Sequence, residues 1–168
     1  MKYKSKTFEK FKEFRSEVDN KLGRRIKTLR SDRGSEYLTT EFLSYLKDAG
    51  IVSHRTPPGT SQHNGVSKRR NRTYMDMVRS MMGYTDLPIY LWGYTLLTAV
   101  YLQNRVPSKS VSVTPYEIWV GRQASLNHIR IWGCPAMVKK LEGDKLDTRS
   151  SKCRFVGYPS ETIGYYFY

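Results

Sequence analysis

Between Gly23 and Gly50 the chain holds a short apolar run, a turn and an amphipathic segment, and a second short apolar run follows at once. Ile26–Leu29 alternates with basic residues and predicts a strand. Ser31-Asp32-Arg33-Gly34 carries turn-forming residues and redirects the chain. Thr40 is the expected cap of a helix whose apolar face is Phe42, Leu43, Tyr45 and Leu46, and Gly50 ends it. Ile51–His54 predicts the second strand. A strand, a helix and a strand in that order predict a parallel pair joined by a right-handed crossover.

The flanking segments build on this unit. Phe8, Phe11, Phe14, Val18 and Leu22 recur at three- and four-residue steps, which predicts an amphipathic helix stopped by Gly23. After the second strand, TPPGTSQHNG is a loop by composition. Asn64 is the expected cap of a long helix reaching about Met82, with Tyr74, Met77, Val78, Met81 and Met82 on its buried face. Tyr90–Asn104 predicts a more apolar helix, and Thr114-Pro115-Tyr116-Glu117 opens a short one. Beyond Arg122, aromatic and β-branched residues alternate between glycines and predict strands and turns. A soft boundary falls near 121–126.

The 168 residues suit one domain with a modest core, and 13 tyrosines argue against wholesale disorder. No apolar run has the length of a membrane span: the longest, around Leu87–Tyr101, is interrupted by Trp92-Gly93 and Thr95. The N-terminal residues alternate basic and acidic groups without an apolar signal core, so an intracellular, non-secreted protein is expected and the Asn71-Arg72-Thr73 sequon carries no meaning. Cys134 and Cys153 are expected as reduced, partly buried thiols. With His54, His63 and His128 scattered, their spacing does not suit structural zinc. Trp92, Trp119 and Trp132 are expected as core anchors rather than stacking platforms.

The net charge is +14. It concentrates in residues 1–31 (+7), 60–80 (+4) and 122–154 (+5). Three basic segments suit a polyanionic partner, because lysine and arginine release counterions from phosphates. The same charge also suits a merely soluble basic surface.

The ordered motifs LRSDRGSEYLTTEF, TPPGTSQHNGVSKRRNRT, LWGY, NRVPSKS, TPYEIWVGR, IWGCPA and KCRFVGYPSETIGYYFY span nearly the whole chain. Together they resemble the integrase region of copia-type retrotransposon Pol polyproteins. The resemblance implies an α/β fold: a truncated ribonuclease-H-like integrase core, seen as a parallel strand pair with helices, followed by a short β-rich C-terminal extension. Residues 1–121 would be a partial catalytic core lacking its first three strands, and 122–168 the start of the extension.

The family's catalytic set is two aspartates and a glutamate, the last two separated by thirty-five residues. Asp32 falls on the second aspartate, and that spacing lands on Lys68 where the family has glutamate. Asn64-Gly65-Val66 and Arg69-Arg70-Asn71-Arg72-Thr73 fix the register on either side. The first aspartate belongs to an upstream strand that the match does not include, nor does it include the family's histidine-cysteine zinc module. Two-metal phosphoryl transfer needs several carboxylates around ions about 3.5–4 Å apart. A lysine offers such an ion no oxygen. Asp32 is thus both the metal ligand the resemblance implies, weak when alone, and a turn-forming aspartate; for this chain the turn role is preferred. Glu36 is a possible substitute carboxylate. Asp76 lies about 12 Å along the helix from Lys68, too far to share a site.

Lys68, Arg69, Arg70 and Arg72, with Asn64 and the helix N-terminus, make a candidate phosphate-binding site. A solvated basic face is the plainer reading. Gln62 and His63 either line the same loop or serve turn hydrogen bonding. By resemblance the ancestral work is DNA integration: phosphodiester cleavage with water, then strand transfer with a DNA 3′-hydroxyl, using Mg²⁺ or Mn²⁺ in the nucleus. The expected partner is DNA, with no membrane, and family members oligomerise on DNA ends. For this chain nucleic-acid contact without catalysis is expected. A remnant of a decayed element and a DNA-binding module in host use are the alternatives.

Overall fold

A computed structural model describes residues 6–57, 65–108, 112–141 and 146–168. The chain divides into two compact units, Met1–Arg69 and Arg70–Tyr168.

In the first unit, α1 (Thr7–Leu22) ends as its sequence predicts. Gly23 adopts φ 59° and returns its amide to the Asp19 carbonyl. Phe8 and Val18 of α1 are buried, whereas Phe14 and Leu22 are exposed. Phe14 lies at the margin of the apolar stripe and Leu22 in the last turn, so the stripe is narrower than its periodicity suggested.

The strands β1 (Thr28–Ser31) and β2 (Val52–Arg55) pair in parallel, with Thr28 opposite Val52 and Ser31 opposite Arg55. Both start later than expected. Pairing opens with the Val52 amide on the Lys27 carbonyl at 2.9 Å, so Ile26 packs against the core outside the ladder. Between the strands, α2 (Thr40–Asp48) is capped by Thr39 rather than Thr40: the Phe42 amide donates to Thr39 Oγ1 at 3.3 Å. Thr39 is extended, and Thr40 is already helical. Phe8, Phe42, Leu46 and Ile51 form the core, with Phe8 and Phe42 ring centres 5.1 Å apart. Arg15 of α1 donates to the Tyr45 hydroxyl of α2 at 2.9 Å.

The division between units falls within α3 (Gly65–Gly83). Val78 of α3 is buried and Tyr74, Met77, Met81 and Met82 are half-buried, the face its periodicity predicted. In the second unit a single 3₁₀ turn, Ile89–Leu91, leads into α4 (Trp92–Arg105). Next comes α5 (Pro115–Val120), opened by a reciprocal cap: the Glu117 amide donates to Thr114 Oγ1 at 3.2 Å and the Thr114 amide to Glu117 Oε2 at 2.6 Å. Then β3 (Pro135–Lys139), β4 (Ser150–Gly157) and β5 (Tyr166–Phe167) form an antiparallel sheet in that order.

Leu91, Trp132 and Val156 form this unit's core, and the Trp132 indole donates to the Val156 carbonyl at 3.0 Å. Gly133 beside it has φ 77°, and a Cβ there would lie 2.1 Å from Thr85 Cγ2, so the chain admits only glycine without a shift. Trp132 is the core anchor the sequence predicted. Trp119 is half-buried, and Trp92 does not anchor: it is 51% exposed. The helix α4 instead turns Thr95, Thr98 and Ala99 inward, with each threonine hydroxyl donating to a carbonyl one turn back. Tyr101 of α4 stacks on Tyr158 at 4.0 Å, and His128 Nε2 lies 2.6 Å from the Tyr101 hydroxyl. Cys134 and Cys153 are free and half-buried. Among the described residues no helix is long and apolar enough to cross a membrane.

Candidate nucleic-acid interface

β1 ends at buried Ser31 and delivers exposed Asp32 to the turn that follows. The Gly34 amide donates to Asp32 Oδ1 at 3.1 Å, closing an Asx turn. Arg33 Nε donates to the Thr56 carbonyl at 3.2 Å, tying this turn to the segment just after β2. Glu36 folds back over Gly34, where an added Cβ would meet its carboxyl at 2.8 Å. Tyr37 stands beside both carboxylates. Burial raises its pKa first, and the negative charges of Glu36 and Asp32 raise it further.

The fold therefore brings Asp32 and the proposed substitute Glu36 to one turn. These donors do not make a two-metal set. Among the described residues no group of three His, Cys, Asp or Glu side chains is placed to hold a metal ion. The position that the resemblance assigns to a third carboxylate is Lys68, exposed in the first turn of α3. Asp76 pairs with Arg79 at 2.8 Å on the same helix.

Asn64, with Gln62 and His63, lies outside the described residues. Lys68, Arg69, Arg70 and Arg72 are all exposed, and the first turn of α3 contains no acidic residue. Arg69 Nε donates to the Gly65 carbonyl at 3.3 Å, which holds that side chain along the helix. Helical spacing sets Lys68, Arg69 and Arg72 on faces away from Val78, while Arg70 shares the side of Tyr74 and Met77. Among the described residues no carboxylate pairs with Lys68, Arg70 or Arg72. Three outward cations at a helix start, with amides and no local acid, suit an anion.

Sequence reasoning missed Arg33 and Tyr37 as members of the Asp32 turn. Arg33 acts through a carbonyl twenty-three residues away, and no spacing rule announces such a contact.

Comparison with known proteins places this geometry in a class. The Retroviral polymerase SH3-like domain family matches residues 134–168, the segment that carries β3, β4 and β5. A chain in the cryo-EM structure of a simian T-cell lymphotropic virus intasome in complex with PP2A regulatory subunit B56 gamma is similar in fold. Its TM-score is 0.54 at 13% identity, over 98% of this chain and 62% of that one. The HTLV-2 integrase catalytic core domain in complex with magnesium gives a TM-score of 0.46 at 17% identity, over 66% of this chain and 68% of that one. The fold is the expected one: an α/β, integrase-type arrangement with a parallel strand pair and a C-terminal antiparallel sheet.

The chain belongs to the retrovirus-related Pol polyproteins of transposons. It is 42% identical, over 98% of its length, to the retrovirus-related Pol polyprotein from transposon TNT 1-94 of Nicotiana tabacum. It spans 13% of that relative's length, as an integrase-like segment.

Proposed function

We propose that this segment serves retrotransposon DNA integration as a nucleic-acid contact, through phosphates held at the start of α3, without completing a phosphoryl-transfer centre of its own. The observation that carries this reading is the cluster of exposed Lys68, Arg69, Arg70 and Arg72 on a first turn that lacks acids. Phosphates gain from those cations and from the helix N-terminus together. Such contacts position a duplex without reading its sequence.

The family resemblance implies Mg²⁺ or Mn²⁺, a nuclear site of action and oligomers on DNA ends. The side chains around Asp32 do not fit a metal pair. Asp32 accepts the Gly34 amide, Glu36 lies on the same turn, and a lysine at position 68 repels a cation. The division into an integrase core, 1–121, and a β-rich extension, 122–168, is supported by the SH3-like match, which falls within the second segment.

A second reading, a remnant of a decayed element, is favoured by the sheet of the first unit. It has only two strands among the described residues, and Val52 on it is 55% exposed. Duplex binding at several salt concentrations separates the two. Affinity that is indifferent to sequence and falls steeply with salt supports the contact. A chain that does not bind duplex at low salt supports the remnant.

A further inference from the structure

We infer that the outward face of α4 is a self-association surface, on which two copies of this chain pack about a two-fold axis with Leu97 of each seated over Gly93 of the other. This rests on α4 alone and not on DNA contact.

The face is built the wrong way round for a helix serving only its own core. Its inward residues are the small Thr95, Thr98 and Ala99, all at or below 1% exposure. Its large apolar residues face out: Trp92 is 51% exposed, Tyr94 43% and Leu97 62%, with Ile89 at 80% and Tyr90 at 64% just before the helix. An amphipathic surface helix does the reverse. Large contiguous apolar exposure marks an interaction site. These five side chains expose on the order of 700 Å², close to the ~800 Å² that each partner gives to a standard interface.

Charge selects the occupant. From Leu87 to Asn104 the sequence holds no Asp, Glu, Lys or Arg, in a chain that is 26% charged. A polyanion finds no cation on this helix before Arg105. Two copies that each carry +14 repel across most of their surfaces and meet without that cost only where both are neutral.

Shape supplies the self-complementarity. Gly93 and Leu97 are one helical turn apart, about 6 Å along the axis. A Cβ added at Gly93 would meet nothing within 4 Å, so Gly93 is a notch between Trp92 and Tyr94, with exposed Leu97 as the knob a turn away. A two-fold axis through the midpoint sets each knob over the opposite notch, since a residue i on j contact in a C₂ interface is always returned.

The test is sedimentation equilibrium of the full 168-residue chain without nucleic acid. The expected result is a monomer–dimer equilibrium with Kd on the order of 10 µM. Gly93→Leu fills the notch in open space and replaces a poor helix former by a good one, so the monomer folds unimpaired. It should weaken the dimer at least about tenfold, as should Leu97→Glu. Ile131→Glu, which removes an equally exposed apolar side chain off this helix, should leave Kd within about twofold. A chain that stays monomeric at about twenty times the expected Kd overturns the inference. So does association that Gly93→Leu leaves unchanged, or that Ile131→Glu weakens as much.

Discussion

The Gly34 amide donates to the Asp32 carboxylate at 3.1 Å, so the side chain that resemblance casts as a metal ligand closes the turn after β1. An amide oxygen can accept that bond as a carboxylate oxygen does. Asp32→Asn should therefore change unfolding free energy by less than about 0.5 kcal/mol, while Asp32→Ala should cost about 1 kcal/mol. Urea unfolding of the two variants checks this; equal losses would mean that the turn does not depend on the acceptor.

The same turn bears on chemistry. With oligonucleotides carrying element ends and Mg²⁺ or Mn²⁺, neither end processing nor strand transfer is expected, because two carboxylates and a lysine cannot hold a metal pair. Lys68→Glu alone should restore neither. Cleavage above the background of an Asp32→Ala control would refute this.

At the start of α3, alanine at Arg69, Arg70 and Arg72 should lower the slope of log affinity against log salt by about one unit per lost phosphate contact. Lys10, Lys12 and Arg15 of α1 make the charge-matched control, each already paired with a carboxylate of its own helix. If the two triple variants weaken duplex binding alike, the helix start is not a site.

Glycines at positive φ should separate by their surroundings. Gly121, at φ 78°, faces open space, so Gly121→Ala carries only the left-handed strain, about 1 kcal/mol. Gly133→Ala adds a Cβ 2.1 Å from Thr85 Cγ2 and should cost about 3 kcal/mol or more. Urea midpoints in the same order of loss would confirm the close approach of Thr85; equal midpoints would remove it.

The Glu117 carboxylate caps α5, and its pKa is lowered, first by the Thr114 amide and then by the Thr114 hydroxyl. A folded pKa below the unfolded one gives stability that is present above the unfolded value and lost as pH falls through the folded value. NMR titration should place the Glu117 midpoint below the ordinary 4.5 for glutamate. Glu117→Gln should remove that part of the acid dependence of unfolding. A midpoint at or above the ordinary value would mean that the cap does not form.

Much of this architecture is legible from local pattern. The α3 face of Tyr74, Met77, Val78, Met81 and Met82 follows from period 3.6, and the α5 start from Thr114, Pro115 and Glu117, because these signals reside in neighbours along the chain. The choice between Thr39 and Thr40 as cap was not legible: both carry the same hydroxyl, and only the backbone angles separate them. Trp92 misled for the opposite reason. A tryptophan is usually buried, yet α4 presents its threonines and Ala99 to the core and leaves Trp92 half-exposed.

The sequence alone determined the order of elements, the parallel β1–β2 unit, the basic start of α3 and the lysine at position 68, since each depends on residue type and spacing. Only the tertiary structure decided that Asp32 and Glu36 share one turn beside Tyr37, that Arg33 reaches the Thr56 carbonyl, and that α4 turns its large apolar side chains outward. The reason is physical. Periodicity says that a helix has two faces, but which face is covered depends on the shape and volume of what packs against it, and residues far apart in sequence supply that surface.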